Sequence, residues 1–171
     1  ADRLLLSLTF RLCRMNIHPA FASVVESLQP SLERLLAETP RKPVKLGDNL
    51  PVAGVYLLSE YDKPLYVGRS DNLKSRMQRH GSLGATYKQA SFAFRLAREQ
   101  TGKLKATYKT EGSRAHLMGD PAFAQAFADA KARIREMDLR FIEEAEPLRQ
   151  AVLEMYIAVA LSTPYNDFDN H

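Results

Sequence analysis

The sequence predicts an α+β fold, a small antiparallel three-stranded sheet flanked by helices, in the order β-β-α, helical insertion, β-α, behind an N-terminal helical extension. Three observations predict it. Two short β-branched and aromatic runs, Gly54–Leu58 and Leu65–Val67, lie at hairpin distance around a turn signal at Asp62-Lys63-Pro64. A third run, Met137–Ile142, alternates apolar and polar residues far downstream. Elsewhere apolar residues recur at helical spacing.

Residues 3–38 carry helical spacing interrupted at His18-Pro19 and Gln29-Pro30, which predicts two or three short helices. The opening run Leu4-Leu5-Leu6-Ser7-Leu8-Thr9-Phe10 has some look of a signal peptide, but Arg11, Arg14 and His18 interrupt it, and a buried helix is the better reading. Pro40 to Asn49 lacks any period and reads as a linker. Residues 1–49 therefore form an extension, and residues 50–171 the main domain, with its insertion at about 82–136.

After the hairpin, Ser70 or Asp71 can cap a helix running through Leu73, Met77 and His80. The insertion reads as a basic helix around Phe92–Glu99 and a second helix after Asp120-Pro121, joined by a polar connection. Glu146-Pro147 opens a last helix that reaches Leu161, where Pro164 prevents continuation. Ala151–Leu161 holds one charged residue in eleven, so this helix is expected to be largely buried.

A chain of 171 residues, 45% apolar, fits one domain and excludes a disordered or fibrous protein. No run of 18 apolar residues is present, which excludes a membrane-spanning helix. Cys13 stands alone and cannot form an internal disulfide, so a reducing, cytoplasmic compartment is expected. The net charge is +4, but Lys63 to Arg114 contains twelve basic and three acidic residues, a local net of +9 that leaves −5 for the rest. Such a segment would draw a polyanion, and a solvated basic surface is the plainer alternative.

Gly54-Val55-Tyr56 and Tyr66-Val67-Gly68 place two tyrosines ten positions apart on the hairpin. Glycine inside a strand marks close approach of a backbone or ligand, although ordinary aromatic packing would also account for the pair. Arg76 and His80, four apart, share one helix face beside Leu73 and Met77. A guanidinium on a rigid support suits a phosphate whose charge grows during displacement, while two solvent-facing charges are the alternative. Glu154 is the lone carboxylate of an apolar helix and requires a partner, either an arginine or a divalent metal. Pro164-Tyr165-Asn166 then places an amide where the chain turns back.

Taken in order, Gly54-Val55-Tyr56, Tyr66-Val67-Gly68, Arg76, His80, Glu154 and Asn166 resemble the motif set of the GIY-YIG nucleases, with valine for isoleucine in both triplets. The resemblance covers about residues 51–80 and 137–167. It implies a metal-dependent endonuclease that hydrolyses DNA phosphodiester bonds to 5′-phosphate and 3′-hydroxyl ends. Catalytic roles would fall to Tyr56, Tyr66, Arg76, His80, Glu154 and Asn166, with Glu154 holding one Mg2+ or Mn2+ ion. Tyr56 is the better candidate for activating water and Tyr66 its rival, although a phenol with a reference pKa near 10 needs neighbouring positive charge to act. Asn166 would orient neighbouring groups or the DNA backbone.

Arg69, Lys74 and Arg79 are candidate phosphate contacts, joined by Lys88, Arg95 and Arg98 of the insertion. Tyr87, Phe92, Phe94 and Tyr108, interleaved with these and with Lys103, Lys105 and Lys109, suit either base stacking or helix packing, and the core is the favoured reading. The partner would be DNA, whether duplex, branched or single-stranded, with RNA an open alternative; cutting both strands of a duplex would call for a homodimer or sequential nicking. A catalytically inactive DNA-binding or interaction module on the same fold is the rival of a different class.

Overall fold

The computed structural model describes residues 18–47, 50–103 and 110–166. Three strands, β1 (Gly54–Glu60), β2 (Lys63–Ser70) and β3 (Asp138–Glu143), form one antiparallel sheet in the order β2-β1-β3. The central strand β1 is buried over six of its seven residues because helices cover both of its faces.

One face of the sheet carries Tyr56, Leu58, Leu65, Leu139 and Phe141. These pack against α2 (Leu73–Gly81), α3 (Ser91–Gln100) and α5 (Pro121–Glu136), with Leu73, Met77, Phe92, Phe94, Phe123, Phe127 and Ile134 filling the layer. The other face carries Val55, Leu57, Val67 and Ile142 against Leu28, Leu32 and Leu35 of α1 (Pro19–Ala37) and Leu153 and Ile157 of α6 (Pro147–Ala160). Burying each such side chain contributes roughly 1.5–3 kcal/mol, so the period-2 alternation of the strands holds the three layers together. The expected α+β sheet with flanking helices is present, and a short helix α4 (Arg114–Met118) adds to the insertion.

Several local expectations are corrected. Pro30 does not break α1, which runs unbroken from Pro19 to Ala37. Pro30 lies on the exposed face, and the buried stripe Leu28-Leu32-Leu35 spans it and carries the helix across the missing amide. The residues before His18, where a further helix was expected, lie outside the described residues.

The hairpin turn is Tyr61-Asp62, with φ of 50° and 60°, rather than Asp62-Lys63-Pro64. Positive φ at both central residues is the two-residue geometry whose twist matches the strands. Lys63 and Pro64 begin β2, an edge strand that tolerates proline, and the register shifts between Leu58 and Ser59 to absorb one extra residue. Asn72, not Ser70 or Asp71, caps α2 by accepting from Ser75 N at 2.9 Å. Part of the expected linker is pinned, because Arg41 and Leu139 exchange two backbone hydrogen bonds of 2.8 Å on the outer edge of β3.

Helix α6 departs furthest from expectation. Only Gln150, Leu153, Ile157 and Ala158 are buried, while Leu148, Met155 and Val159 face outward, Val159 at 76% exposure. Its inner face meets the sheet, and no described residue covers the outer one.

Candidate active site

The site lies at the outer edge of β2, where both helical layers meet the hairpin. In the register of the sheet Tyr56 pairs with Gly68, so its phenol folds over the neighbouring strand at the one residue without a side chain. A Cβ added to Gly68 would stand 2.4 Å from Tyr56 Oη, and one added to Gly54 would stand 2.0 Å from the carbonyl oxygen of Ile142. Both motif glycines are therefore required by close approach.

Tyr56 Oη is the hub. Arg76 Nε donates to it at 3.0 Å, and His80 Nε2 lies 2.9 Å away. The phenol and Nε2 share one hydrogen bond, whose donor is set by the tautomer of the imidazole. Among the described residues the buried His80 Nδ1 has no hydrogen-bond partner, which costs stability. Burial, aided by the charge of Arg76, lowers the His80 pKa to about 3, so the imidazole is neutral at physiological pH. Arg76 and His80 thus project from the same helix, and His80 turns inward rather than to solvent.

Burial also pushes the Tyr56 phenol far above its ordinary range; Tyr66 reinforces that shift and Arg76 opposes it. Tyr56 has no exposed surface, whereas Tyr66 is half-buried. The tyrosine rings lie 6.2 Å apart, and both phenols act on the Arg76 guanidinium. Burial alone would depress the Arg76 guanidinium, and the two phenols more than reverse this.

Glu154 reaches the site from α6 in the opposite layer. Its carboxylate accepts from Arg69 Nε at 3.0 Å across the β2 edge, so of the two partners weighed for it, an arginine is the one present. Its side chain is 19% exposed; burial raises its pKa, against the pull of Arg69 and then Arg76. Among the described residues no group of three His, Cys, Asp or Glu side chains is gathered as a metal cage. A single, partly desolvated carboxylate fits Mg2+ or Mn2+ nonetheless, since such ions keep several waters and take further oxygens from substrate phosphate.

Asn166 seals the strand. Its Oδ1 accepts from Val67 N at 2.9 Å and from Thr163 Oγ1 at 2.8 Å, and its Nδ2 donates to Val67 O at 2.7 Å. Tyr165 N donates to Leu65 O, so the turn after α6 satisfies the free edge of β2 beside Tyr66 and Gly68. The amide is committed to orienting the strand.

Of the basic candidates, Arg69, Lys74, Arg79 and Lys88 are exposed, with Arg79 also donating to Ser75 Oγ. Arg95 and Arg98 are half-buried and donate to the carbonyls of Tyr165 and Lys103, which makes them struts of the insertion as much as surface cations. Phe92 and Phe94 are core residues, as favoured, while Tyr108, Lys105 and Lys109 lie outside the described residues. Phe92 has a second role that sequence reasoning missed: it stacks on Tyr66, with centroids 4.7 Å apart and planes within 12°, and meets Tyr165 at 5.4 Å. Its sole signal was an aromatic in the first turn of the basic helix. None of the described helices is long and apolar enough to cross a membrane. Neither family models, curated proteins nor solved structures provide a match to this chain.

Proposed function

We propose that the protein is a metal-dependent endonuclease of the GIY-YIG type that hydrolyses phosphodiester bonds in DNA. The observation that carries this reading is the gathering of two phenols, Arg76, His80 and Glu154, from a hairpin and two separate helices, at one edge of the sheet. A half-buried arginine bonded to a buried phenol, with a neutral histidine behind it, is a costly arrangement for stability alone and suits a site that meets growing negative charge.

The two phenols divide the work. Tyr56, enclosed by Arg76 and His80, fixes the guanidinium towards the scissile phosphate. Tyr66, the half-buried phenol, acts as its phenolate: with its own proton lost to solvent and the negative charge offset by Arg76, it accepts the proton of the attacking water and returns to the neutral phenol. The water oxygen bonds to phosphorus, the bond to the 3′-oxygen breaks, and that oxygen leaves with a proton from solvent, giving 5′-phosphate and 3′-hydroxyl ends. Glu154 would hold the metal ion, which when bound supplies Lewis-acid stabilisation of phosphate charge. Arg69, Lys74 and Arg79, all exposed on β2 and α2, contact flanking phosphates.

Cleavage of supercoiled plasmid and single-stranded circular DNA, with Mg2+, Mn2+ or EDTA, tests the assignment against Glu154→Ala. Metal-dependent cutting by the wild type and loss of at least a hundredfold in the variant is the expected result. Salt-dependent binding without cutting by either protein would replace the reading with that of a binding module.

A further inference from the structure

Phe92, in the first turn of α3, brings the helical insertion against Tyr66. The two rings stack with centroids 4.7 Å apart and planes within 12°. Every other close ring pair among the described residues is tilted or edge-on, so this is the one contact in which a flat partner sets the plane of its neighbour. Phe92 is itself held in place. With Arg95 and Glu99 it lies on one face of α3, at spacings of three and four, and all three residues meet Tyr165 in the turn after α6. The Tyr165 ring lies 5.4 Å from Phe92 with planes at 58°, its carbonyl accepts from Arg95 Nη1, and its hydroxyl donates to Glu99 Oε2 at 2.5 Å. Tyr165 N donates to Leu65 O at 3.2 Å, next to Tyr66 in the strand. The insertion and the last turn thus hold Leu65-Tyr66 by ring and by backbone.

We propose that Phe92, braced by Tyr165, is a positioning residue for Tyr66, holding the phenol in the orientation from which it accepts the proton of the attacking water. The inference rests on the nuclease reading and on the part given there to Tyr66. The two tyrosines of the hairpin are held by different means: Tyr56 by its hydrogen bonds to Arg76 and His80, Tyr66 by the Phe92 stack. A half-buried side chain keeps some freedom about its torsions unless packing removes it. A flat ring laid on the phenol removes it, whereas an aliphatic side chain of similar bulk would bury the same surface and leave the phenol free to tilt. Misplacement of a reacting group by about 1 Å can cost on the order of a hundredfold in rate, so loss of the stack should fall on the chemical step and spare DNA binding.

Phe92→Leu, Phe92→Tyr and Tyr165→Leu are compared in the full chain with Phe94→Leu, a control in the same helix. Phe94 is buried against Phe123 and Phe127 and makes no ring contact with Tyr66. Two readouts are taken: kcat and KM on whichever circular DNA the wild type cuts with Mg2+ or Mn2+, and the Tyr66 ring resonances in NMR spectra of tyrosine-labelled protein, identified by their absence from Tyr66→Phe. Phe92→Leu should lose about tenfold or more in kcat with KM within about twofold of the wild type. Its Tyr66 ring protons should move downfield as the ring current of the stack disappears. Phe92→Tyr, which keeps the flat ring, should recover most of the loss. Tyr165→Leu changes a half-buried position and serves if Phe92→Leu does not fold; it should show the same pattern at about threefold in kcat. Phe94→Leu should leave both readouts near the wild type. A wild-type kcat in Phe92→Leu, or an equal loss in Phe94→Leu, would overturn the inference and leave the nuclease reading standing. A wild type that cuts no DNA would remove both.

Discussion

Arg69 Nε donates to Glu154 Oε2 at 3.0 Å across the edge of β2, so the carboxylate on which a metal would bind already has a cation. A metal ion held by Glu154, as proposed, would compete with the guanidinium for the same oxygen. Arg69→Ala should therefore tighten Mn2+ binding by the protein without nucleic acid by about threefold, the scale of a partly exposed ion pair of ~0.6 kcal/mol. Calorimetry or Mn2+ electron paramagnetic resonance reads the change, and equal affinities would show that Arg69 does not guard the carboxylate. Glu154→Ala should bind at least tenfold more weakly.

Tyr56 and Tyr66 are separable by removing one oxygen from each. Tyr66→Phe should fold with a Tm within about 2 °C of the wild type and lose cleavage by a hundredfold or more. Tyr56→Phe should lose cleavage and also about 1–3 kcal/mol of stability, because His80 Nε2 and Arg76 Nε lose their buried partner. Equal stability in the two variants would contradict the hub placed at Tyr56.

The glycines should fail differently. Gly68→Ala forces the Tyr56 phenol aside and should reduce cutting sharply at a cost of about 1–3 kcal/mol. Gly54→Ala meets the backbone of β3 rather than a movable ring, so its cost should lie at or above the top of that range. Chemical denaturation distinguishes them.

His80 gives the stability a pH dependence of definite sign. Unfolded histidine takes a proton near its ordinary pKa of about 6.5, whereas the buried ring refuses one until about 3, so protonation favours the unfolded chain. Its contribution is whole above pH 6.5 and is lost as the pH falls towards 3, at up to about 1.4 kcal/mol per pH unit. His80→Gln should lack this slope between pH 4 and 6. The raised Glu154 carboxyl works in the opposite sense, so the wild type and the variant must be compared over the same range.

The sheet and its helices were legible because β1 and β2 are β-branched and aromatic runs at hairpin distance, β3 alternates, and the motif glycines announce close approach. Gly68 could be read as special from its neighbours, and the register opposite Tyr56 supplies the reason. The turn was misplaced because Tyr61-Asp62 adopts positive φ without glycine or asparagine, while Pro64 imitates a turn from within an edge strand. Pro30 misled in the same manner, since packing of Leu28 and Leu32 outweighed a local preference. At the site, residue identities were readable but pairings were not. Glu154 needed a cation, yet only the fold brings Arg69, 85 positions earlier, beside it. Nothing in the sequence distinguished the fully buried phenol from the half-buried one.

The bonds from Tyr165 and Asn166 to Leu65 and Val67 tie the turn after the last helix to the second strand, about a hundred positions earlier. During synthesis the hairpin leaves the ribosome long before those residues exist. The outer edge of β2 then has no cover, and Glu154 has not yet reached Arg69. Truncation before Thr163 should therefore keep the contacts of Tyr56 with Arg76 and His80 and of Glu154 with Arg69, and expose the unpaired edge of β2 at Leu65 and Val67.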